Sequence, residues 1–280
     1  MTRKIGTIAL ILLLGIVCAN AQQHEFSVYG GGGFSALSYK MDGGAQKGGF
    51  GGQFGLNYRY AITRDIGVMS GIGFGMYNAR YSADDVESVR KVHDRLESVD
   101  FDFTSTLNGY EEKQGATLLQ IPVLAQYLRR FGNLQCYANG GLKFGIPLGG
   151  QFSNTAERMK NTGYYSLEEY TYETQTFMGF GTFTDRGNRG DLDFKVAVLA
   201  TLEAGTKFYL NDEMALYVGA FFDFGLNNIH KAKAPYFVEY NEQTPQNFEV
   251  NSVIHSRYEH FTDKIRPIAV GIKVALALEK

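Results

Sequence analysis

Three of the five histidines, His230, His255 and His260, fall in the last quarter of the chain with Glu249, Glu259 and Asp263 among them. Imidazole and carboxylate are the ligands zinc takes and the partners of a general-base pair, so this set could hold a metal or perform Asp–His hydrolysis. The spacing argues against both. No HExxH-type or closely spaced ligand pair occurs, and histidines on a connecting segment are ordinarily solvated. No nucleophile–base–orienter set is legible elsewhere. The glycine-rich stretches Gly30–Gly33 and Gly71–Gly75 lack the Lys-Ser/Thr and the strand–helix context of a phosphate loop. The reading is of a non-enzyme with no catalytic, cofactor or metal residues.

A different set of charges has a regular spacing. Arg59, Lys143, Lys195, Glu203, Lys207, Asp223 and Lys273 each sit one residue out of step with an apolar series. Around Glu203, for example, Phe194, Val196, Val198, Ala200, Leu202 and Phe208 alternate with Lys195, Thr201, Glu203 and Lys207. Period-2 alternation marks strands with two unlike faces. Eight such segments are placed near 25–38, 49–62, 66–80, 117–130, 135–149, 193–210, 214–227 and 265–279. Turns at Thr63–Asp65, Gly132–Asn133 and Asn211–Glu213 keep apolar opposite apolar, bringing Tyr60 to Val68, Leu56 to Ile72 and Phe208 to Leu216. The other connections, about 39–48, 81–116, 150–192 and 228–264, are longer, three of them much longer. Short and long connections therefore alternate, as in outer-membrane barrels with short periplasmic turns and long extracellular loops.

The polarity of the two faces decides between a soluble and a membrane barrel. One face is nearly all apolar, with Phe34, Tyr58, Tyr60, Phe74, Tyr127, Phe208 and Phe222 toward its ends. A soluble barrel would keep its charges on the watery outside. With lipid outside, the lumen is the tolerable place for them. The expected fold is an all-β, eight-stranded, antiparallel up-and-down transmembrane barrel, ten strands being the alternative if the aromatic segment Gly163–Asp185 contributes two. The seven charges then form a luminal network. Glu203 and Asp223 sit among five cations, and Gln53, Asn57, Gln120, Asn139 or ordered water supply further acceptors.

Smaller features complete the pattern. Ser82-Ala-Asp-Asp85, followed by Val86, Val89, Val92, Leu96 and Val99, reads as a capped helix packed on the barrel rim. From Tyr81 to Ala116 there are nine acids against four bases, a solvated acidic face or, as a sharper reading, a place for cation bridging to lipopolysaccharide. Gly163–Asp185 is read as a hairpin extending the fifth and sixth strands, with exposed aromatics that suit a binding surface. Pro122, inside the fourth strand, calls for a β-bulge.

Composition supports an exported chain: 34 Gly, 18 Tyr, 21 Phe, 5 Pro, no Trp and a net charge of −2. Nothing resembles a nucleic-acid footprint. Arg3 and Lys4, the apolar run "IGTIALILLLGIV" and Ala19-Asn20-Ala21 follow the order of a secretory signal peptide, residues 1–21. Cys18 follows a branched Val17, which disfavours lipoprotein processing. Residues 22–280 then form one barrel domain. Cys136 alone remains, so disulfides are not its source of stability.

The signal ending "ANAQ", the opening "GGGGFS", the strands "LLQIPVLAQY" and "YANGGLKFGIPL" and the closing "GIKVALAL" together resemble the PorT-like outer-membrane β-barrel domain family of Gram-negative bacteria, and more loosely the small OmpA/OmpX-type barrels. The likeness covers about 22–280 and implies an architecture rather than an activity. The ending Leu278-Glu279-Lys280 departs from the terminal aromatic common among such barrels. Three functions are compatible with it. The favoured one is a non-enzymatic envelope protein displaying surface loops for adhesion, envelope integrity or partner docking. The others are a narrow channel or transporter, and an enzyme acting on lipid A or the cell surface. The partners expected are outer-membrane lipid and lipopolysaccharide, with a protein partner open and no nucleic acid.

Overall fold

The computed structural model describes residues 24–279 except Asp42, Leu96, Asn133, 258–260 and Asp263. The expected signal segment, Leu96, Asn133, Glu259, His260 and Asp263 lie outside the described residues. Twelve strands occur in the described part: β1 (His24–Ser38), β2 (Ala45–Ala61), β3 (Ile66–Asp94), β4 (Val99–Phe131), β5 (Leu134–Tyr165), β6 (Tyr170–Tyr172), β7 (Gly181–Leu192), β8 (Ala197–Tyr209), β9 (Met214–Gly225), β10 (Val238–Glu239), β11 (Glu249–Val250) and β12 (Arg266–Glu279). Eight of them close a ring in the order β1–β2–β3–β4–β5–β8–β9–β12 and back to β1, every pair antiparallel. Closure removes the unpaired edge that would otherwise template aggregation.

The register follows the alternation. Tyr60 faces Val68 and Leu56 faces Ile72 across the β2–β3 turn, and Phe208 faces Leu216 across the β8–β9 turn. The apolar series points outward: Val28, Leu56, Val123, Leu202, Val274 and Ile272, the last 65% exposed. Between Ile66 and Met76 the outward column of β3 is almost wholly apolar. At about 3.3 Å per residue and a barrel's tilt, that run covers roughly the 25 Å height of a lipid-facing band.

Strand length is where the sequence expectation fails. β1, β2, β8, β9 and β12 have 15, 17, 13, 12 and 14 residues, but β3, β4 and β5 have 29, 33 and 32. A tilted span needs only about 9–11. The surplus replaces the expected loops 81–116 and 150–192 with a sheet that rises beyond the apolar band. β7 joins it, pairing β5 from Gly150↔Leu192 to Asn161↔Gly181 in the same register as β5–β8. β7 and β8 are thus one stave interrupted at residues 193–196. β6 pairs only the tip of β5, so the aromatic segment adds no staves and the ring stays at eight.

The expected helix after Ser82 is strand. Val86, Val89 and Val92 face Leu107, Thr104 and Phe101 across the β3–β4 ladder. Val86 and Val92 are buried while Val89 is 51% exposed, the division a pleat makes and a helix face would not. β-branched side chains suit that pleat, and long-range pairing overrides the local capping pattern. The expected bulge at Pro122 is also absent. Pairing with β3 lapses at Ile121–Pro122 with the register unchanged, Ser70↔Val123 and Gly73↔Gln120 lying on either side. The residue that would face Pro122 there is Gly71, so the missing N–H meets no crowded neighbour. The register shifts at Thr117/Leu118 instead, where Leu148 of β5 is skipped.

Above the band the polarity of the faces inverts, and the inward parity shifts by one residue where pairing lapses at Asp84, Gly109 and Glu157. Along β4, Ile121, Val123 and Tyr127 point outward and Gln120 and Gln126 inward; higher up, Phe101, Phe103, Leu107 and Tyr110 point inward and Asp102, Thr104, Thr106 and Glu111 outward. The upper sheet is therefore a soluble half-shell. Its concave face is covered by the described residues of 226–265, whose Phe237, Val238, Val250, Val253 and Ile254 join one apolar cluster with Phe103, Leu107, Tyr110 and Phe152. The Arg90 guanidinium lies 4.1 Å from the Tyr236 ring and Arg95 pairs with Glu242 at 2.8 Å on the β3 side. Phe183 meets Phe248 at 5.0 Å on the β7 side.

Candidate functional site

Inside the ring, the inward parity of five staves brings together the charges that alternation singles out. Lys143 on β5 donates to both carboxylate oxygens of Asp223 on β9, at 3.0 and 2.9 Å, and to Gln53 on β2 at 3.1 Å. Thr201 adds a hydroxyl to Asp223 at 2.8 Å. Glu203 on β8 accepts from Lys273 on β12 at 2.7 Å and from Asn139 at 2.9 Å, with Lys143 3.9 Å away. The Lys273 ammonium also lies 4.2 Å from the Tyr29 ring centroid. Each acid thus has a cation and a neutral donor, which offsets the desolvation of burying charge.

Nearer the short turns a second group forms around Lys207. It donates to Glu25 at 2.9 Å and to Glu279, and Tyr217 donates to Glu25 at 2.9 Å. Arg59 is buried, opposite Glu25 in the β1–β2 register, and forms no ion pair among the described residues. Glu25 and Glu279 were not among the residues singled out by sequence. The signal existed, because both share the inward parity of their strands with Ser27 and Lys273. They reduce the cation excess expected inside the barrel.

Lys195 does not join the network. It precedes β8, its side chain is exposed, and its backbone N–H bonds Ile229 O at 2.9 Å. The stave breaks at 193–196, Phe194 turns inward and is buried, and the parity extrapolated from Ala197 does not reach Lys195. The neutral residues also differ in role. Asn139 serves Glu203 as a donor rather than a cation as an acceptor, and Gln120 Nε2 donates to Tyr77 at 2.8 Å. Asn57 is buried in the same lumen.

Glycines on the inward face make room for tyrosines rather than for water. A Cβ on Gly73 would fall 2.1 Å from the Tyr29 hydroxyl, and one on Gly219 would fall 2.4 Å from that of Tyr137. Two cavities lined by these luminal residues measure about 20 and 10 Å³, room for about one water each.

Above the lumen, polar pegs fix the covering segment. Glu112 is fully buried and accepts from Tyr110, Gln114, Ser252 and the Val253 N–H. Burial pushes its carboxyl above the usual range, and the four donors pull it back only in part. Asn154 donates to the carbonyls of Val250 and Asn251 at 3.1 and 3.0 Å, and Asn161 to Gly179 O at 3.1 Å. Glu112 belongs to the segment Tyr81–Ala116, whose acids the sequence pattern assigns to a solvated face; the structure buries this one.

Of the histidine set, His230, Glu249 and His255 are described. His230 Nε2 lies 3.0 Å from Ile254 O, Glu249 is exposed in β11, and His255 is buried. Burial holds the His255 imidazole below its ordinary pKa, with Lys233, His230 and Lys231 adding to the effect and Asp193 opposing it. Among the described residues no three His, Cys, Asp or Glu side chains are grouped to hold a metal ion. Of the aromatic segment, Tyr165 and Phe180 are buried while Tyr170 and Phe177 are exposed.

The profile of a family described as an outer membrane protein beta-barrel domain matches residues 20–231. No curated protein sequence matches the chain. Among solved structures it is similar to a major outer membrane protein from Thermus thermophilus, at 14% identity and a TM-score of 0.39, over 91% of this chain and 99% of that one. It is also similar to Neisserial surface protein A, at 10% identity and a TM-score of 0.33, over 92% and 96%. The attachment invasion locus protein of Yersinia pestis gives 12% identity and a TM-score of 0.29, over 91% and 99%.

Proposed function

Because the chain belongs to the outer membrane protein beta-barrel domain family, we propose that it is a non-enzymatic envelope protein whose sealed barrel carries a rigid turret for adhesion, envelope integrity or partner docking. The outer-membrane location follows from the family. In this reading residues 1–21 are a leader removed on export, the short turns face the periplasm and the upper sheet stands outside the cell. The strand patterns "LLQIPVLAQY" and "GIKVALAL" support a PorT-like member of the family.

The observation that carries the proposal is the continuous filling of the barrel's section. It begins with Glu25, Lys207 and Tyr217, continues through Lys273, Glu203, Lys143 and Asp223, and ends in the apolar cluster under residues 226–265. Eight staves leave an interior that side chains can fill. A plug of paired charges favours an anchor over a conduit, and the turret is held by strands and pegs instead of mobile loops. Display is therefore assigned to a folded surface. The test is deletion of the gene with envelope-integrity and adhesion assays, together with lipid-A analysis. Altered lipid-A structure in the deletion strain, restored by the wild-type gene, would replace this reading with the enzymatic one.

A further inference from the structure

The outward face of the staves carries a pattern that the barrel's closure does not require. Lys47 on β2 is opposite Arg80 on β3, Arg80 is opposite Lys113 on β4, Lys113 is opposite Ser153 on β5, and Ser153 is opposite Arg189 on β7. One row across five strands thus reads Lys-Arg-Lys-Ser-Arg. With strands about 4.8 Å apart it spans roughly 19 Å. All four cations are exposed, and none forms an ion pair with a described residue. Arg189 is braced by its Nε, which donates to Ser153 Oγ at 3.3 Å.

The height of the row is as informative as its charge. On β3 the continuous apolar outward run ends at Met76, followed up the strand by Asn78 and then Arg80. Four residues at about 3.3 Å along a tilted strand put the row on the order of 10 Å above the apolar band, at headgroup level. Between the row and the band the surface is hollow. Asn78, Gly115, Gln151 and Asp191 form the next row down, and Gly149 lies below it. A Cβ on Gly149 would meet nothing within 4 Å. Lys113 and Arg189 line the upper part of this groove and Met76 and Leu148 its floor.

We propose that the row binds the phosphate groups of a phosphorylated outer-leaflet glycolipid, with the sugar headgroup in the groove and an acyl chain along Met76 and Leu148. The proposal rests on the turret facing outward. Adjacent cations with no ion-pair partner among the described residues repel one another, and lipid-borne phosphates at the same height relieve that repulsion. Asp191, a carboxylate in the lower row, bounds the groove and keeps a second phosphate from sitting below the first. The lipid site is thereby moved from the acids of 81–116 to cations of the same sheet.

The test uses the full chain folded in zwitterionic detergent, with fluorescent lipid A, the same lipid A dephosphorylated, and inorganic phosphate as probes. Changing Lys47, Arg80, Lys113 and Arg189 to Gln together should weaken lipid A binding on the order of a thousandfold. Dephosphorylated lipid A should bind parent and variant equally weakly. A control with Arg64, Arg129 and Arg130 at the turn end changed to Gln should keep the parent's affinity. If the fourfold variant does not fold, Lys47→Gln/Arg80→Gln and Lys113→Gln/Arg189→Gln are made separately, each expected to lose about thirtyfold. The proposal is overturned if the row variants bind like the parent, if phosphate on the lipid makes no difference, or if the turn-end control loses as much. It is also overturned if inorganic phosphate binds as tightly as lipid A, which would make the row a free-anion site. Binding in detergent does not depend on orientation, so an inverted turret would show only in surface labelling of cells.

Discussion

At the scale of single residues, stability is concentrated where buried charge meets its partner. Replacing Glu203 by Ala would leave Lys273 and Lys143 close together without their shared acid. Breaking a buried pair from one side costs about 3–5 kcal/mol, so urea unfolding of Glu203→Ala in lipid vesicles should show a loss of that order. Lys195→Gln, at an exposed position, should unfold like the parent. His255 supplies a pH test. Its folded-state pKa lies below its ordinary value of 6.5, so its contribution is present above that value and is lost as pH falls through the folded pKa. Glu112, whose carboxyl is pushed up, works in the opposite sense and weakens the cover as pH rises. The readout is therefore a difference between proteins. Hydrogen-exchange protection at residues 252–256, taken relative to the intrinsic rate at each pH, should fall on acidification below about pH 6.5 more in the parent than in His255→Gln. An equal fall in the two would remove any part for His255.

At the scale of elements, the two halves of each long stave obey opposite rules. Ile272 lies mid-strand on β12 facing outward, and Ile272→Arg should cost about 2–4 kcal/mol near the midplane. The helix-versus-strand question at 82–99 has a chemical test. In a Cys136→Ala background, Val89→Cys and Thr104→Cys face each other across β3–β4 and should oxidise to a disulfide in the folded protein; failure to cross-link would restore the helix. What was legible in the sequence follows from the same division. Within the lipid band, outward apolar residues such as Leu56 and Ile72 announce both strand and register, and the parity that singles out Lys143 and Glu203 comes with them. Above the band the alternation goes on, but its chemistry reverses and its parity shifts by one residue at Asp84, Gly109 and Glu157. A search for apolar-outward alternation therefore ends near residue 80 on β3 and resumes near 117 on β4. The inward run Phe101, Phe103, Leu107 and Tyr110 was visible but belonged to a different solvent. Glu112 was not legible because its four donors include Ser252 and Val253, distant in sequence. Lys195 was misplaced because the break at 193–196 leaves no periodic mark.

At the scale of the whole molecule, the proposed anchor is closed along its axis and carries a folded turret at one end. Epitope tags inserted beside Leu167, in the exposed turn before β6, or at Gln243 should be labelled on intact cells, while tags at Arg64 or Asp212 should not; the reverse pattern would invert the orientation. Closure itself is the central claim, and single-channel recording of the folded chain in planar bilayers tests it most directly. The luminal network and the packed cover predict a bilayer that stays at its baseline under applied voltage. Steady ohmic steps that recur with each insertion would contradict it.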